Sequence, residues 1–439
     1  MRKLFLLISL FVFVTQAQGQ WITLQNTGLM TNFGESVRYD DIYFISADTG
    51  FVVSSNGYLY KTYDGGNNWH VKANPNPPIY FRSIEFSDNG QFGIAGTLSG
   101  VVLRTVDRGE TWTDISNAVS DTGLYARRMC GLAHWGNNIY GVGWWGATVA
   151  RFYTSLDGGQ TWQTSYIDTN LATSLVDVTF ISADTCFATG FRLSADSGSS
   201  NIILRSIDAG QTWAKVFSDY TLGGGVWKIQ FVNNSIGVGS IEPWYNPDTV
   251  VMVKTTDGGN TWHLIPVGHK NPDFAGAQGI GFLTPSKGWV GGYFSGMFET
   301  NDGGVTWDTI SEGNLCNRYF RFGTSTMYAS GDPIFKYTDS TAAVPHVTSP
   351  IPLGVHLLPI NPNPAKGKIK IEFDLQSQNN IVLKIVGMDS RRVYNVASDY
   401  LKAGHYTYYW DGANVSSGNY MVWLGTDETP VVQKFVILK

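Results

Sequence analysis

A chain of 439 residues exceeds one ordinary domain and can bury a large core. Aromatics make up 14% and glycines number 50, whereas charged residues reach only 15%, against about 25% in ordinary globular domains. That mix suits many short strands joined by turns, and the mild formal net charge of −5 argues against a nucleic-acid or anionic-membrane partner for the chain as a whole.

Residues 1–19 read as a secretory signal, outside the fold. Arg2 and Lys3 give a basic start, 4–14 an apolar run too short to span a bilayer, and Ala17-Gln18-Gly19 a small-x-small cleavage site. No later stretch is long and apolar enough for a membrane helix, so an exported, soluble protein is expected.

From there the chain writes one short stretch six times, clearest at Thr255-Thr256-Asp257-Gly258-Gly259-Asn260-Thr261-Trp262. The copies are built around Asp64, Asp107, Asp157, Asp208, Asp257 and Asp302, with gaps of 43, 50, 51, 49 and 45 residues. A period of this length means one supersecondary unit per repeat. The aspartate is expected to accept from backbone N–H groups one or two residues on, and the glycine after it tolerates positive φ. Strand-like runs flank each copy, which makes it a hairpin tip, with the tryptophan opening the next strand and packing between units.

Between copies, each repeat carries three alternating runs: 36–44, 50–54 and 58–62 in the first, 80–86, 92–96 and 101–105 in the second. Four strands per repeat describe a propeller blade. The stretch resembles the Asp box (S/T-x-D-x-G-x-T-W) of sialidases, sortilin-type receptors and photosystem II assembly factors, where it is a structural turn remote from the ligand face. The six aspartates are therefore read as structural. After the sixth box a seventh set (319–323, 327–330, 334–338) lacks its fourth strand, while Trp21-Ile22-Thr23-Leu24 stands as an orphan strand. Joining them gives an all-β fold, a seven-bladed β-propeller over 20–340 whose last blade is closed by the N-terminal strand.

Residues 341–354 read as a linker, within a proline-bearing stretch that holds Pro345, Pro350, Pro352 and Pro359. Beyond it, 355–439 alternate apolar and polar residues without any box and give a small antiparallel sandwich, immunoglobulin-like in class. Asn361-Pro362-Asn363-Pro364-Ala365, Gly387-Met388-Asp389-Ser390, Trp410-Asp411-Gly412, Ser417-Gly418-Asn419-Tyr420 and Lys434-Phe435-Val436-Ile437 resemble, in order, the elements of type A sorting domains of the type IX (Por) secretion system. The resemblance implies a Bacteroidota-type cell, delivery through the type IX machinery to the surface or the medium, and frequent removal of the tail.

In a propeller the first strand of each blade lines the channel. Those strands offer Arg38, Arg82, Arg128, Lys228 and Arg321, with Arg127 and Arg318 nearby. Convergent cations in a concave mouth would attract an anion; alternatively they pair with Asp40, Asp41 and Glu85 and hold the ring. Trp244 and Tyr245, between Pro243 and Pro247 in an insertion, are expected to be exposed for stacking on a partner or polysaccharide. Trp135 and Trp227 are expected in the core, and Trp144 and Trp145 are further candidates. In their repeat wording, residues 21–339 resemble the photosystem assembly-factor propellers, which hold a protein partner without catalysis; the photosynthetic role does not follow. No catalytic residue, cofactor or metal site is assigned. The alternative is a secreted glycoside hydrolase with acids at the same mouth, drawn from Asp40, Asp41, Asp177 and Asp273. Cys130, Cys186 and Cys316 have no framework spacing and are read as buried, inert thiols.

Overall fold

The computed structural model describes residues 19–29, 38–75, 79–121, 126–143, 149–194, 198–245, 248–269, 276–292, 295–339, 355–358, 360, 362–375, 379–387, 393–402, 404–426 and 429–438. Residues 1–18 and 341–354, read above as signal and linker, lie outside these residues, as do Trp144, Trp145, Pro247, Asp273, Asn361 and Met388 to Arg392. The chain divides into two compact units, Met1–Ala342 and Ala343–Lys439.

The first unit contains seven four-stranded antiparallel sheets, and in each of the first six the strands follow chain order. Their first strands, here called inner strands, are Tyr39–Phe44, Phe81–Phe86, Gly131–Trp135, Ser174–Phe180, Gly225–Phe231, Ala277–Phe282 and Arg318–Phe322. The seventh sheet takes three strands from its own repeat and its fourth from the N-terminus. Gln20–Thr23 runs antiparallel to Phe335–Thr338, with Trp21 opposite Tyr337, and the Leu24 N–H donates to the Ile334 carbonyl at 3.1 Å. Trp21 is buried against Trp289, Tyr319 and Tyr337, with ring centroids 5.1, 6.0 and 5.5 Å away.

The hydrophobic clusters lie between consecutive sheets. Phe51, Phe81 and Phe86 join the first and second, and Val238, Phe282 and Val290 the fifth and sixth. Phe44, Tyr60, Tyr328 and Ile334 join the seventh to the first, where Phe44 stacks on Tyr328 at 3.7 Å. The first two strands of the first and second sheets are buried at consecutive positions, so both faces need cover, and a neighbour on each side supplies it.

The boxes are tighter than their sequence suggests. In the clearest copy the Thr255 hydroxyl donates to Asp257 and accepts from the Gly259 N–H, while Asp257 accepts from the N–H groups of Asn260 and Thr261, both at 3.0 Å. The carboxylate thus reaches three and four residues ahead, beyond the one or two expected. Two hydrogen-bonded amides are thereby satisfied at a turn where no strand pairs them. Gly258 and Gly259 take φ of 73° and 83°; Arg108 and Ala209 occupy the first of these positions in their own copies at 60° and 57°. Trp262 packs edge-on to Phe231 of its own sheet and Phe187 of the preceding one, as its place at the head of the fourth strand predicts.

A second regularity links box to box. The cation just before the box threonine or serine reaches the next box: Lys61 Nζ donates to the Arg108 carbonyl at 2.7 Å, Arg104 Nε to that of Gly158 at 2.8 Å, and Lys254 Nζ to that of Gly303 at 2.6 Å. Arg205 does the same through the Asn260 side chain at 2.6 Å. Thr154 and Glu299 stand at this position in the third and sixth repeats and make no such bridge among the described contacts.

The second unit has a three-stranded sheet (Val355–Leu357, Lys368–Leu375, Gly404–Asp411) and a four-stranded sheet in the order Val393–Leu401, Asn379–Gly387, Gly418–Thr426, Thr429–Ile437. Ile369, Ile371 and Phe373 of one share a core with Leu383, Val422 and Phe435 of the other. Asn363 Oδ1 accepts from the Val436 N–H at 3.0 Å and the Ala365 N–H donates to the Val436 carbonyl at 2.8 Å. The segment that opens the unit is so fastened to the strand that ends it.

Candidate functional site

Six-residue strands crossing a sheet have two ends about 15–20 Å apart, and the inner strands gather distinct side chains at each. Contacts between distant sheets show how closely they converge: Arg38 of the first meets Gln278 of the sixth, Arg82 of the second lies over Trp227 of the fifth, and Arg318 of the seventh meets Asp177 of the fourth.

A repeated backbone feature aims these side chains. Five inner strands carry a β-bulge near their start, and the residues it leaves unpaired are Asp40, Arg82, Val176, Trp227 and Gln278. A bulge adds one residue to a strand and re-aims its side chain. Strict alternation would send Asp40 and Asp41 to opposite faces; with the bulge, both serve the space between the inner strands.

The first end is a cavity of about 620 Å³, lined by Arg38, Tyr80, Arg82, Trp227, Trp244 and Gln278 among others. Asp40, fully buried, receives Arg38 Nε at 2.5 Å and Arg82 Nη1. Arg38 Nη2 also donates to Gln278 Oε1 at 2.8 Å, and Gln278 Nε2 to Glu242 at 2.9 Å. The two guanidiniums are therefore met by an internal acid beneath aromatic walls, while Asp40 Oδ2 is buried without a hydrogen-bond partner among the described residues. Trp244 is 44% exposed and edge-on to Phe191.

Between the ends, Arg318 donates to Asp177 at 2.8 Å and lies 3.3 Å from Asp41. Each carboxylate also accepts the inner-strand N–H of the following sheet, Ile84 for Asp41 and Ile229 for Asp177. Burial raises the Asp41 carboxyl against the pull of Arg318. Lys228 is buried nearby, and burial, opposed by Asp177, lowers its amine to about 8.

The second end is a cavity of about 380 Å³ that includes Tyr43, Glu85, His134, Gln230, Arg318 and Arg321. His134 lies between Glu85 at 2.6 Å and Asp88 at 2.8 Å. Burial works against the charged ring, yet hydrogen bonds to Asp88 and Glu85 outweigh it and raise His134 to about 10. Arg321 Nη1 donates to the Val232 carbonyl at 3.1 Å, and burial lowers its guanidinium.

The five cations expected at one mouth do not share it. Arg38 and Arg82 lie at the first end, Lys228 between the ends and Arg321 at the second; Arg128 lines neither cavity. The reason is register: Arg38 and Arg128 precede their inner strands, and Arg82, Lys228 and Arg321 stand at different heights along theirs. Trp227 is buried as expected, but Trp135 is 42% exposed, because it pairs with Asn138 at a hairpin tip beyond the packed part of the sheet. Tyr245 is 55% exposed, yet its hydroxyl accepts from the Ser199 N–H at 2.9 Å and its ring lies against Gly198 and Gly223, so it clasps two loops. Cys130, Cys186 and Cys316 are buried and in no disulfide, and burial raises Cys186 and Cys316 to about 12. Asp40, Asp41 and Asp177 are each held by a cation, the last two by backbone as well, which leaves no free acid pair among them for glycoside hydrolysis. Among the described residues no group of three or more His, Cys, Asp or Glu is arranged to hold a metal. The sequence reading missed Tyr80, Glu242 and the His134 clamp; Glu85 had signalled the last, as an acid on an inner strand.

Comparison with known proteins agrees with this architecture. Residues 25–121 match the family model for the photosynthesis system II assembly factor YCF48, residues 153–164 that for the BNR/Asp-box repeat, and residues 359–438 that for the secretion system C-terminal sorting domain. The photosystem II assembly lipoprotein Ycf48 of Synechococcus sp. (strain CC9902) is 25% identical over 289 residues, 62% of this chain and 75% of that one. Two solved structures share the fold. YCF48 bound to D1 peptide has a TM-score of 0.52 at 17% identity, covering 74% of this chain and 98% of that one. YCF48 from Cyanidioschyzon merolae has a TM-score of 0.53 at 18% identity, covering 74% and 100%. No helix among the described residues is long and apolar enough to cross a membrane. The sorting domain marks the chain for secretion or surface display through the type IX machinery. The chain is thus an Asp-box β-propeller resembling the photosystem II assembly factor family, followed by a C-terminal type IX secretion sorting domain.

Proposed function

We propose that this is an exported, non-catalytic binding protein whose seven sheets close into a seven-bladed ring over 20–340. Residues 1–19 are then its signal peptide, 341–354 a linker and 355–439 an immunoglobulin-like sorting domain, in a Bacteroidota-type cell. Three features support closure: the N-terminal strand on the seventh sheet, the Phe44–Tyr328 stack, and the contacts across the axis. Lys336 of the seventh sheet also brings its amine beside Gly65 in the first box, continuing the box-to-box series around the ring. Trp21→Ala should cost about 3–5 kcal/mol in urea unfolding, as buried tryptophans do; a loss under ~1 kcal/mol would count against the ring.

The ligand face is the first end, and the ligand a protein segment. The observation that carries this is the aromatic-walled cavity whose two cations are offset by Asp40, which pairs with both, and by Glu242 in the lining. Aromatic rings over a charge-balanced floor suit side chains and backbone, whereas a polyanion would need an excess of positive charge. One solved relative, YCF48, is bound to a D1 peptide, which favours a peptide over a polysaccharide here. A peptide library panned on the secreted chain should yield binders whose affinity falls by less than about ten-fold between 50 mM and 500 mM salt, because neutral contacts are barely screened. Trp244→Ala should weaken those binders by about ten-fold or more. Binders indifferent to Trp244→Ala and abolished by salt would overturn this reading.

A further inference from the structure

We propose that the second end is a separate receptor for a single carboxylate attached to a compact apolar body. The inference stands on different residues from the peptide-binding reading and does not depend on it.

The other charged pairs at this end are closed. Arg318 is answered by Asp41 and Asp177, and His134 by Glu85 and Asp88. Arg321 differs. No carboxylate among the described residues lies within ion-pair distance of it, although its side chain is half-buried and lines the cavity. Its Nη1 is pinned to the Val232 carbonyl of the fifth sheet, across from its own strand in the seventh. That bond restrains the guanidinium and leaves the other N–H donors of the five for a ligand. A planar fork with restrained orientation is the geometry that receives a carboxylate through two parallel hydrogen bonds.

The surroundings set the charge and shape of what fits. Arg318, Arg321 and His134 face Asp41, Asp177, Glu85 and Asp88, so the end is not net positive and a dianion would meet repulsion. A monoanion gains the same fork at about half that repulsion. Tyr43 and Phe320, with ring centroids 4.8 Å apart, stand with Phe180 and Phe231 in the walls. A cavity of about 380 Å³ admits a small acid or the last residue of a chain. The same chemistry is offered by a free aryl-alkyl acid and by a peptide ending in an aromatic residue.

The test uses the full secreted chain, titrated calorimetrically with phenylacetate, acetate and inorganic phosphate, and with a short peptide ending in phenylalanine beside its C-terminal amide. Saturable binding of phenylacetate, weaker binding of acetate and none of phosphate are expected. Arg321→Gln should lose at least about ten-fold in affinity, and Arg321→Lys several-fold, because an ammonium keeps the charge but not the fork. An unchanged melting temperature in both variants shows that the fold is intact. Binding of the peptide acid and not its amide, with no response to phenylacetate, supports the site and assigns it to chain termini. No saturable binding by either carboxylate, or binding unaffected by Arg321→Gln, overturns the proposal.

Discussion

The two ends of the inner strands differ in how they treat an arginine. At the first, Arg38 and Arg82 converge on one buried aspartate and serve the fold. At the second, Arg321 is held by a carbonyl, and among the described residues no carboxylate answers it. The same residue type on the same kind of strand is scaffold in one place and a free hydrogen-bonding group in the other. What separates them is whether the bulge delivers an acid to meet the cation.

The largest expected effect that would break this contrast is at Asp40. Asp40→Asn leaves two largely buried guanidiniums without their counter-charge and should cost about 3–5 kcal/mol in urea unfolding. A loss of less than ~1 kcal/mol would mean that the first end is not held by this triad.

Next comes pH, which acts at the second end. The folded value of His134, about 10, lies above its ordinary 6.5. The folded state therefore holds the proton more tightly, and the stabilisation is complete below pH 6.5 and lost as pH rises through about 10. The stability difference between the wild type and His134→Gln should shrink across that window; a difference that is flat from pH 6 to 10 would contradict the clamp. Lys228 runs the other way. Burial depresses its folded value to about 8 from 10.5, so the cost of its charge is present below pH 8 and relieved as pH rises toward 10.5. Lys228→Met should be at its most favourable relative to wild type near neutrality, and that advantage should fade by pH 10.5.

The smallest effect is the most discriminating. Arg321→Gln removes one hydrogen bond and no ion pair and should cost about 1 kcal/mol or less, while Asp40→Asn costs several-fold more. If the two cost the same, the ends are equivalent scaffolds and the contrast fails.

Much of the fold was legible from local signals. Six box copies, alternating runs and an orphan N-terminal strand led to four-stranded sheets, and Trp21 pairs opposite Tyr337 as that reading requires. Turn chemistry and strand periodicity act over a few residues, so a single sequence displays them. The carboxylate reach of three and four residues was misjudged, because the box folds back on itself more tightly than a simple Asx turn. Trp135 was misplaced in the core, because its apolar character says nothing of whether it falls at a hairpin tip.

The candidate site was legible as a list and not as a place. Arg38, Arg82, Lys228 and Arg321 were found on or just before inner strands, yet their heights along those strands depend on register, and five bulges shift that register by one residue. By itself the sequence determined the repeated sheet, the box turns and the tail, because each is written in short-range hydrogen bonding and alternation. The tertiary structure alone decided which cation meets which acid. Partners such as Arg318 and Asp177 lie 141 residues apart and become neighbours only when the inner strands gather around a common space.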